Sequence, residues 1–320
     1  MGASIRNALA AVCLMALASV ACAQAYPSKP IQLVVAFAPG GAGDIVARLV
    51  AKKMGESMGQ QVLVDNRPIP VAAVSAVAHA KPDGYTLLMA GSGTALTSAL
   101  FAKLPYDLMR DFVHISTLAS FDLVLIVDGA SDLKTVGDVL AFAKAHPGRL
   151  NVGTARVGST QNLTGEMFKA MTGMDAVIVP FKNAGEITSA LKGKDVHLAV
   201  EMLPAALGQI SNKSLRALAV TSGKRYAGLP QVPTLAESGV TGFDASSWNG
   251  IAVPTGTPPE VVARLSREIA KAVDSPEVQK GLQSLGAAAR ASTSEQMTQR
   301  MRDDIAKWRA VIDKAGIPRQ

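Results

Sequence analysis

The sequence predicts an α/β fold with mostly parallel sheets, and three observations carry that expectation. Short apolar strands alternate with amphipathic helices, polar or glycine-rich turns stand at strand carboxyl ends, and the βα series restarts near residue 123. The two series resemble each other loosely, which fits two similar lobes. A chain of 320 residues that is 48% apolar and 18% charged can bury a substantial core, which excludes disorder. Its length suggests two domains.

The N-terminus comes first. Residues 1–25 place Arg6 before an apolar run from Ala8 to Ala21, followed by small residues, the three-part layout of a secretory signal peptide. The run is shorter than the about 20 apolar residues of a membrane span. Ala23-Gln24-Ala25 and Ala21-Cys22-Ala23 both offer cleavage points. Cys13 and Cys22 lie in this leader, so a mature chain cut after Ala25 has no disulfide, thiol nucleophile or Cys-based metal site. Ser19-Val20-Ala21-Cys22 is an imperfect lipobox, so a lipid anchor on Cys22 is the alternative to free secretion.

Residues 31–37 form a nearly continuous apolar run, as in a strand buried on both faces. A glycine-rich turn, 39–43, leads to a helix opening at Asp44 with apolar residues at helical spacing. Strands are expected at 61–65 and 85–90, with helices at 71–80 and after Ser92. The second series places strands at 123–127, 150–153, 176–181, 196–200 and 215–221. Its helices fall at 135–145, 160–171 and 185–192, with a short one from Pro204. The C-terminal part reads as helices at 259–273, 276–285 and 294–315. Crossings near 120–123 and 221–224 would give a discontinuous first lobe, 26–122 with 223–320, and a continuous second lobe, 123–222.

The net charge of +7 is scattered, with no run of five basic residues and no interleaving with aromatics, which gives a nucleic-acid groove little support. A diffuse positive field suits small anions. The turn 39–44 is the strongest local signal. Glycines let the backbone approach a ligand, and a helix start presents unpaired N–H groups to an anion. Gly40, Gly41 and Ala42 would donate; Asp44 would fix the helix start, since a carboxylate repels an anion. The competing reading is a plain βα turn capped by Asp44. Val46 stands where a dinucleotide fingerprint needs glycine, and the P-loop Lys-Ser/Thr pair is missing.

Three further turns follow strands, where open α/β sheets place ligands. They contain Ser92 and Thr94; Ser159, Thr160, Gln161 and Asn162; and Phe181, Asn183 and Ala184. Capping alone would also explain Ser159 or Thr160. The four histidines, 79, 114, 146 and 197, show no zinc spacing, and there is no G-x-S-x-G elbow. No catalytic residue, metal or cofactor is therefore expected. Trp308 reads as packing, and Trp248 as packing or a cleft wall.

These residues carry a family resemblance. Tyr26-Pro27-Ser28-Lys29-Pro30, Phe37-Ala38-Pro39-Gly40-Gly41, Asp44 and Ala47-Arg48 open it. Pro82-Asp83-Gly84-Tyr85, Gly158-Ser159, Val179-Pro180-Phe181-Lys182, Leu215-Arg216-Ala217-Leu218, Val232-Pro233-Thr234 and Gly256-Thr257-Pro258 continue it along nearly the whole mature chain. Together and in order they resemble the Bug family, the extracytoplasmic solute receptors of tripartite tricarboxylate transporters. The resemblance implies a periplasmic-binding-protein fold of two lobes, type II-like, with small carboxylates held in the interlobe cleft. It implies capture by the first-lobe loop, closure by Ser159, Thr160, Gln161 and the Asn183–Ala184 turn, and walls from Phe37 and Phe181. Membrane subunits of such a transporter would be the partner of a monomeric receptor.

The chain departs from the family pattern at four places. Residues 69–75 replace a glycine-rich segment, Asn162 stands where His is common, Phe181-Lys182-Asn183 replaces Tyr-Lys-Gly, and Glu201 replaces Asp. These changes fit a less polar or larger ligand, or a weakened site. Two rivals remain: a sensor that hands the closed form to a signalling partner, and a secreted serine hydrolase using Ser92 or Ser159, for which the sequence offers no convincing base.

Overall fold

The computed structural model describes residues 26–37 and 39–320. The expected leader, its cleavage points and the Cys22 anchor lie outside these residues.

Strand β1 (Ile31–Val35) pairs in parallel with β2 (Val62–Asn66) and β3 (Thr86–Gly91). Helix α1 (Ala42–Met58) follows β1 and buries Val46, Val50 and Met54 at helical spacing. It ends at Gly59, whose φ of 68° lets its N–H turn back to the Gly55 carbonyl. Helix α2 (Pro70–Ala78) starts on a proline, which needs no N–H partner there. Helix α3 (Ser92–Leu100) follows β3 directly.

Strand β4 (Phe112–Asp128) joins the lobes. Up to Asp122 it pairs antiparallel with β9 (Ser246–Pro254); from Leu123 it pairs antiparallel with β7 (Leu198–Met202). It also pairs with β8 (Leu215–Val220). The second series runs α4 (Val136–Ala145), β5 (Leu150–Ala155), α5 (Thr160–Thr172), β6 (Ala176–Phe181), α6 (Ala184–Lys192), β7, α7 (Leu203–Ser211) and β8. Its strands β5–β6 and β5–β7 are parallel. After β9 come α8 (Pro259–Asp274), α9 (Pro276–Ser284), β10 (Ala287–Ala289) and α10 (Ser294–Ala315). The strand order is β2-β1-β3-β9-β4-β7-β5-β6, with β8 and β10 paired to β4 off that path. The βα units are parallel, while β4 and β9 bring antiparallel pairs through the centre, a feature the βα pattern does not show.

The first-lobe sheet is covered on one side by α1, α8 and α9, through Val50, Leu265 and Val278. The other side packs Val74, Ala95, Met297 and Met301 around the fully buried Trp248. Trp248 donates its indole N–H to Asp304 Oδ2 at 2.7 Å, so it belongs to the core and does not wall a cleft. Second-lobe packing is centred on Phe168, Leu163 and Val152, and it includes Leu235, Val240 and Phe243. The segment after 223 therefore packs on the second lobe until the chain returns at β9, later than the expected return at 223. Thr221 pins this return by donating its hydroxyl to the Ala245 carbonyl at 2.6 Å. Helix α10 also touches both lobes. Met297 and Met301 enter the first-lobe core, and Trp308 and Ile312 enter the second. A helix of 22 residues spans roughly 33 Å, enough to bridge them.

Candidate functional site

The sheet order brings the carboxyl ends of β1, β3 and β5 to a common cavity of about 680 Å³ between the lobes. The first lobe contributes Phe37, Pro70, Val71, Met89, Gly93, Thr94, Leu100 and Asn249; the second contributes residues 156–161. Gly158 touches the first lobe closely: a Cβ there would lie 2.9 Å from Leu100 Cδ2, and its φ is 74°. The lobes thus meet across the cavity, and the positive φ favours glycine at this contact.

Two helix starts face the cavity. At α3, the Ser92, Gly93 and Thr94 amides donate to no acceptor among the described residues. Thr94 Oγ1 accepts the Gly91 N–H at 2.9 Å and donates to the Gly91 carbonyl at 2.8 Å, which fixes the strand-to-helix turn. At α5, Ser159 Oγ accepts the Asn162 N–H at 3.1 Å, and the Thr160 and Gln161 amides have no acceptor among the described residues. Each start carries a partial positive charge of roughly half a unit. Arg156 adds a whole one at the second-lobe wall.

The structure brings Phe37, Thr94, Ser159, Thr160 and Gln161 to this cavity. It places the other expected residues elsewhere. The Gly40 amide is already taken, donating to Asp44 Oδ2 at 3.0 Å. Gly41 and Ala42 have unpaired amides among the described residues but do not line the cavity. Phe37 lines it instead, with its ring against Gly43, where a Cβ would fall 2.5 Å from Cζ. The glycine bend thus keeps two unpaired amides away from the cavity, and the α3 start presents its unpaired amides at the cavity.

Asp44 acts as a pin. Its carboxylate accepts from Arg48 Nε at 3.0 Å and Asn66 Nδ2 at 2.9 Å as well as from Gly40. Burial alone would raise the Asp44 pKa; the three hydrogen bonds outweigh it and hold the carboxyl below its usual range.

Ser92 is fully buried, and its Oγ accepts the Trp248 N–H at 2.8 Å, so it faces the core. Asn162 lies beneath the second-lobe loop, accepting from the Gly158 N–H and donating to Thr154 Oγ1. Phe181 ends β6, the edge strand farthest from the first lobe, Asn183 and Ala184 follow it, and none of the three lines the cavity. Asn183 caps α6 by accepting the Glu186 N–H at 3.0 Å. Glu201 stands behind Gln161, accepting its Nε2–H at 3.0 Å and the Met202 N–H at 2.7 Å. Burial pushes the Glu201 carboxyl up, against the opposing pull of these two bonds.

Among the lining residues that the sequence reading does not single out are Arg156, which is exposed, and Asn249, which sits in a strand that polar residues disguise. A larger concavity of about 830 Å³ lies around Lys134, Lys213 and Arg216 on the second lobe. Its guanidinium is tied to the Ser131 and Gly129 carbonyls, and the concavity takes nothing from the first lobe.

No helix of the described residues is long and apolar enough to cross a membrane. The family model for the tripartite tricarboxylate transporter family receptor matches residues 46–317. Protein BugT of Bordetella pertussis is 35% identical over 298 residues, covering 92% of this chain and 91% of its own. Among solved structures, R. palustris Rpa4515 with adipate is 33% identical with a TM-score of 0.78, over 92% of this chain and 99% of that one. MatC from Rhodopseudomonas palustris with bound malate is 29% identical with a TM-score of 0.74, over 90% and 100%. A match over most of the chain, together with the two-lobed α/β architecture around one cavity, shows that the chain belongs to the tripartite tricarboxylate transporter receptor family.

Proposed function

We propose that the protein captures a small organic acid in the interlobe cavity and presents the enclosed acid to membrane subunits of a tripartite tricarboxylate-type transporter. The observation that carries this reading is the pair of helix starts, one from each lobe, whose unpaired amides border one cavity. Relatives with adipate and with malate support a carboxylate. The lobes divide at Asp122/Leu123 and at Ser246, with α10 spanning both, and closure is driven by contacts made only when the lobes meet. The protein acts in the periplasm and without catalysis: Ser92 is buried against Trp248, and Ser159 caps its helix.

Native mass spectrometry of protein purified from periplasm, followed by a thermal-shift screen of mono- and dicarboxylates, tests this. At least one acid raises the melting temperature. Thr160→Glu removes that shift while leaving the fold intact, because a carboxylate suits the first turn of a helix but repels an anionic ligand. A folded, empty protein that responds to no acid contradicts the proposal.

A further inference from the structure

We infer that Arg156 pairs the anionic group of the ligand, and that the ligand is a monoanionic acid with an apolar body. This rests on the carboxylate reading above and adds which acid fits. Arg156 is the one charged side chain among the residues that line the cavity. It is exposed at the cavity wall and takes part in no ion pair among the described residues, whereas Arg48 and Arg67 of the first lobe, which do not line the cavity, are committed. Arg48 is bound to Asp44 and Asn66, and Arg67 is bound to Asp65 at 2.7 Å.

The rest of the lining sets the body of the ligand. Phe37, Val71, Met89, Leu100 and Phe101 make an apolar wall on the first-lobe side. The hydroxyls of this side are spent on their own helix: Thr97 donates to the Gly93 carbonyl at 2.9 Å, as Thr94 does to Gly91. One carboxylate beside Arg156 and the α5 start meets a full cation plus a partial charge. A second would meet no full charge, only the partial charge of α3 and the neutral Asn249 amide, beside a wall that strips its water. A ring or branched hydrocarbon instead buries apolar surface there. About 680 Å³ leaves space for such a body.

Calorimetric titration of the full chain with benzoate, phenylacetate, adipate and malate tests the inference. The monoanions bind at least tenfold more tightly than the dianions. Arg156→Gln weakens benzoate or phenylacetate binding at least tenfold, and Arg156→Lys restores most of it. The melting temperature of the unliganded variants stays at the parent value, since Arg156 holds nothing else in place. Tighter binding of adipate or malate, or unchanged monoanion binding by Arg156→Gln, overturns this inference and leaves the carboxylate reading standing. Binding of none of the four by folded protein overturns the inference, and silence across the wider acid screen overturns the reading beneath it.

Discussion

Replacing Gly91 by valine costs about 3 kcal/mol or more of folding stability. Gly91 pairs with Asn249 in the antiparallel β3–β9 ladder. Its φ of 165° is extended backbone open to any residue, so space and not torsion demands glycine. A Cβ at this position runs into the carbonyl of Trp248, a backbone group that cannot swing aside. Moving it disturbs the Trp248 N–H bond to Ser92 and the indole bond to Asp304. Both are buried, and each broken buried bond adds roughly 1 kcal/mol or more. Gly93→Ala is the control. It stands two residues on with nothing within 4 Å of the new Cβ, and it shifts stability by less than about 1 kcal/mol. Urea unfolding of the two variants separates them. A Gly91→Val protein as stable as the parent would show that the ladder here is looser than described.

Acid destabilises the protein through His114. The ring is 2% exposed in β4, its Nε2 has no partner, and its Nδ1 lies 3.4 Å from Thr298 Oγ1. Burial pushes its pKa down from the ordinary 6.5 to about 4. The sign follows from linkage. Above pH 6.5 the imidazole is neutral both folded and unfolded, and nothing is lost. As the pH falls, the unfolded chain takes up the proton first, so stability drops until the folded ring also titrates near pH 4. The loss is on the order of 3 kcal/mol. His114→Leu removes this component while keeping the losses from carboxylates such as Asp44. Unfolding midpoints between pH 7 and 4 therefore fall less steeply in the variant. Parallel profiles would show that His114 is solvated enough to protonate freely.

The fold was legible where pattern and packing agree. Buried parallel strands such as β1 and β3 announce themselves as apolar runs between turns, and α10 shows a capping box and an apolar stripe. The elements that escaped serve both lobes or depend on a neighbour. The first half of β4 carries His114, Ser116, Thr117 and Ser120, which are tucked against α10 and the strand leading to it and so break the apolar signal. Strand β9 opens with two serines, and the three alanines of β10 are a strand only because β4 pairs with them.

The candidate site was legible as chemistry but not as address. Polar turns at strand ends were visible, yet sequence does not say which strand lies inside the sheet and which at its edge. Strand β5 lies inside, between β7 and β6, and Ser159, Thr160 and Gln161 reach the cavity. Strand β6 lies at the edge, so Phe181 and Asn183 do not. Nor does sequence show that Asp44 reaches back to take the Gly40 amide, or that Arg156 is left without a partner while Arg48 is not.

Hydrogen exchange of the full chain, with and without benzoate and separately adipate, tests acid capture between the lobes most directly. The account predicts that a bound acid slows exchange together at the α3 start, residues 91–94, and at the second-lobe loop, residues 156–161. Slowing confined to one of these segments, or absent from both with either acid at saturating concentration, would contradict it.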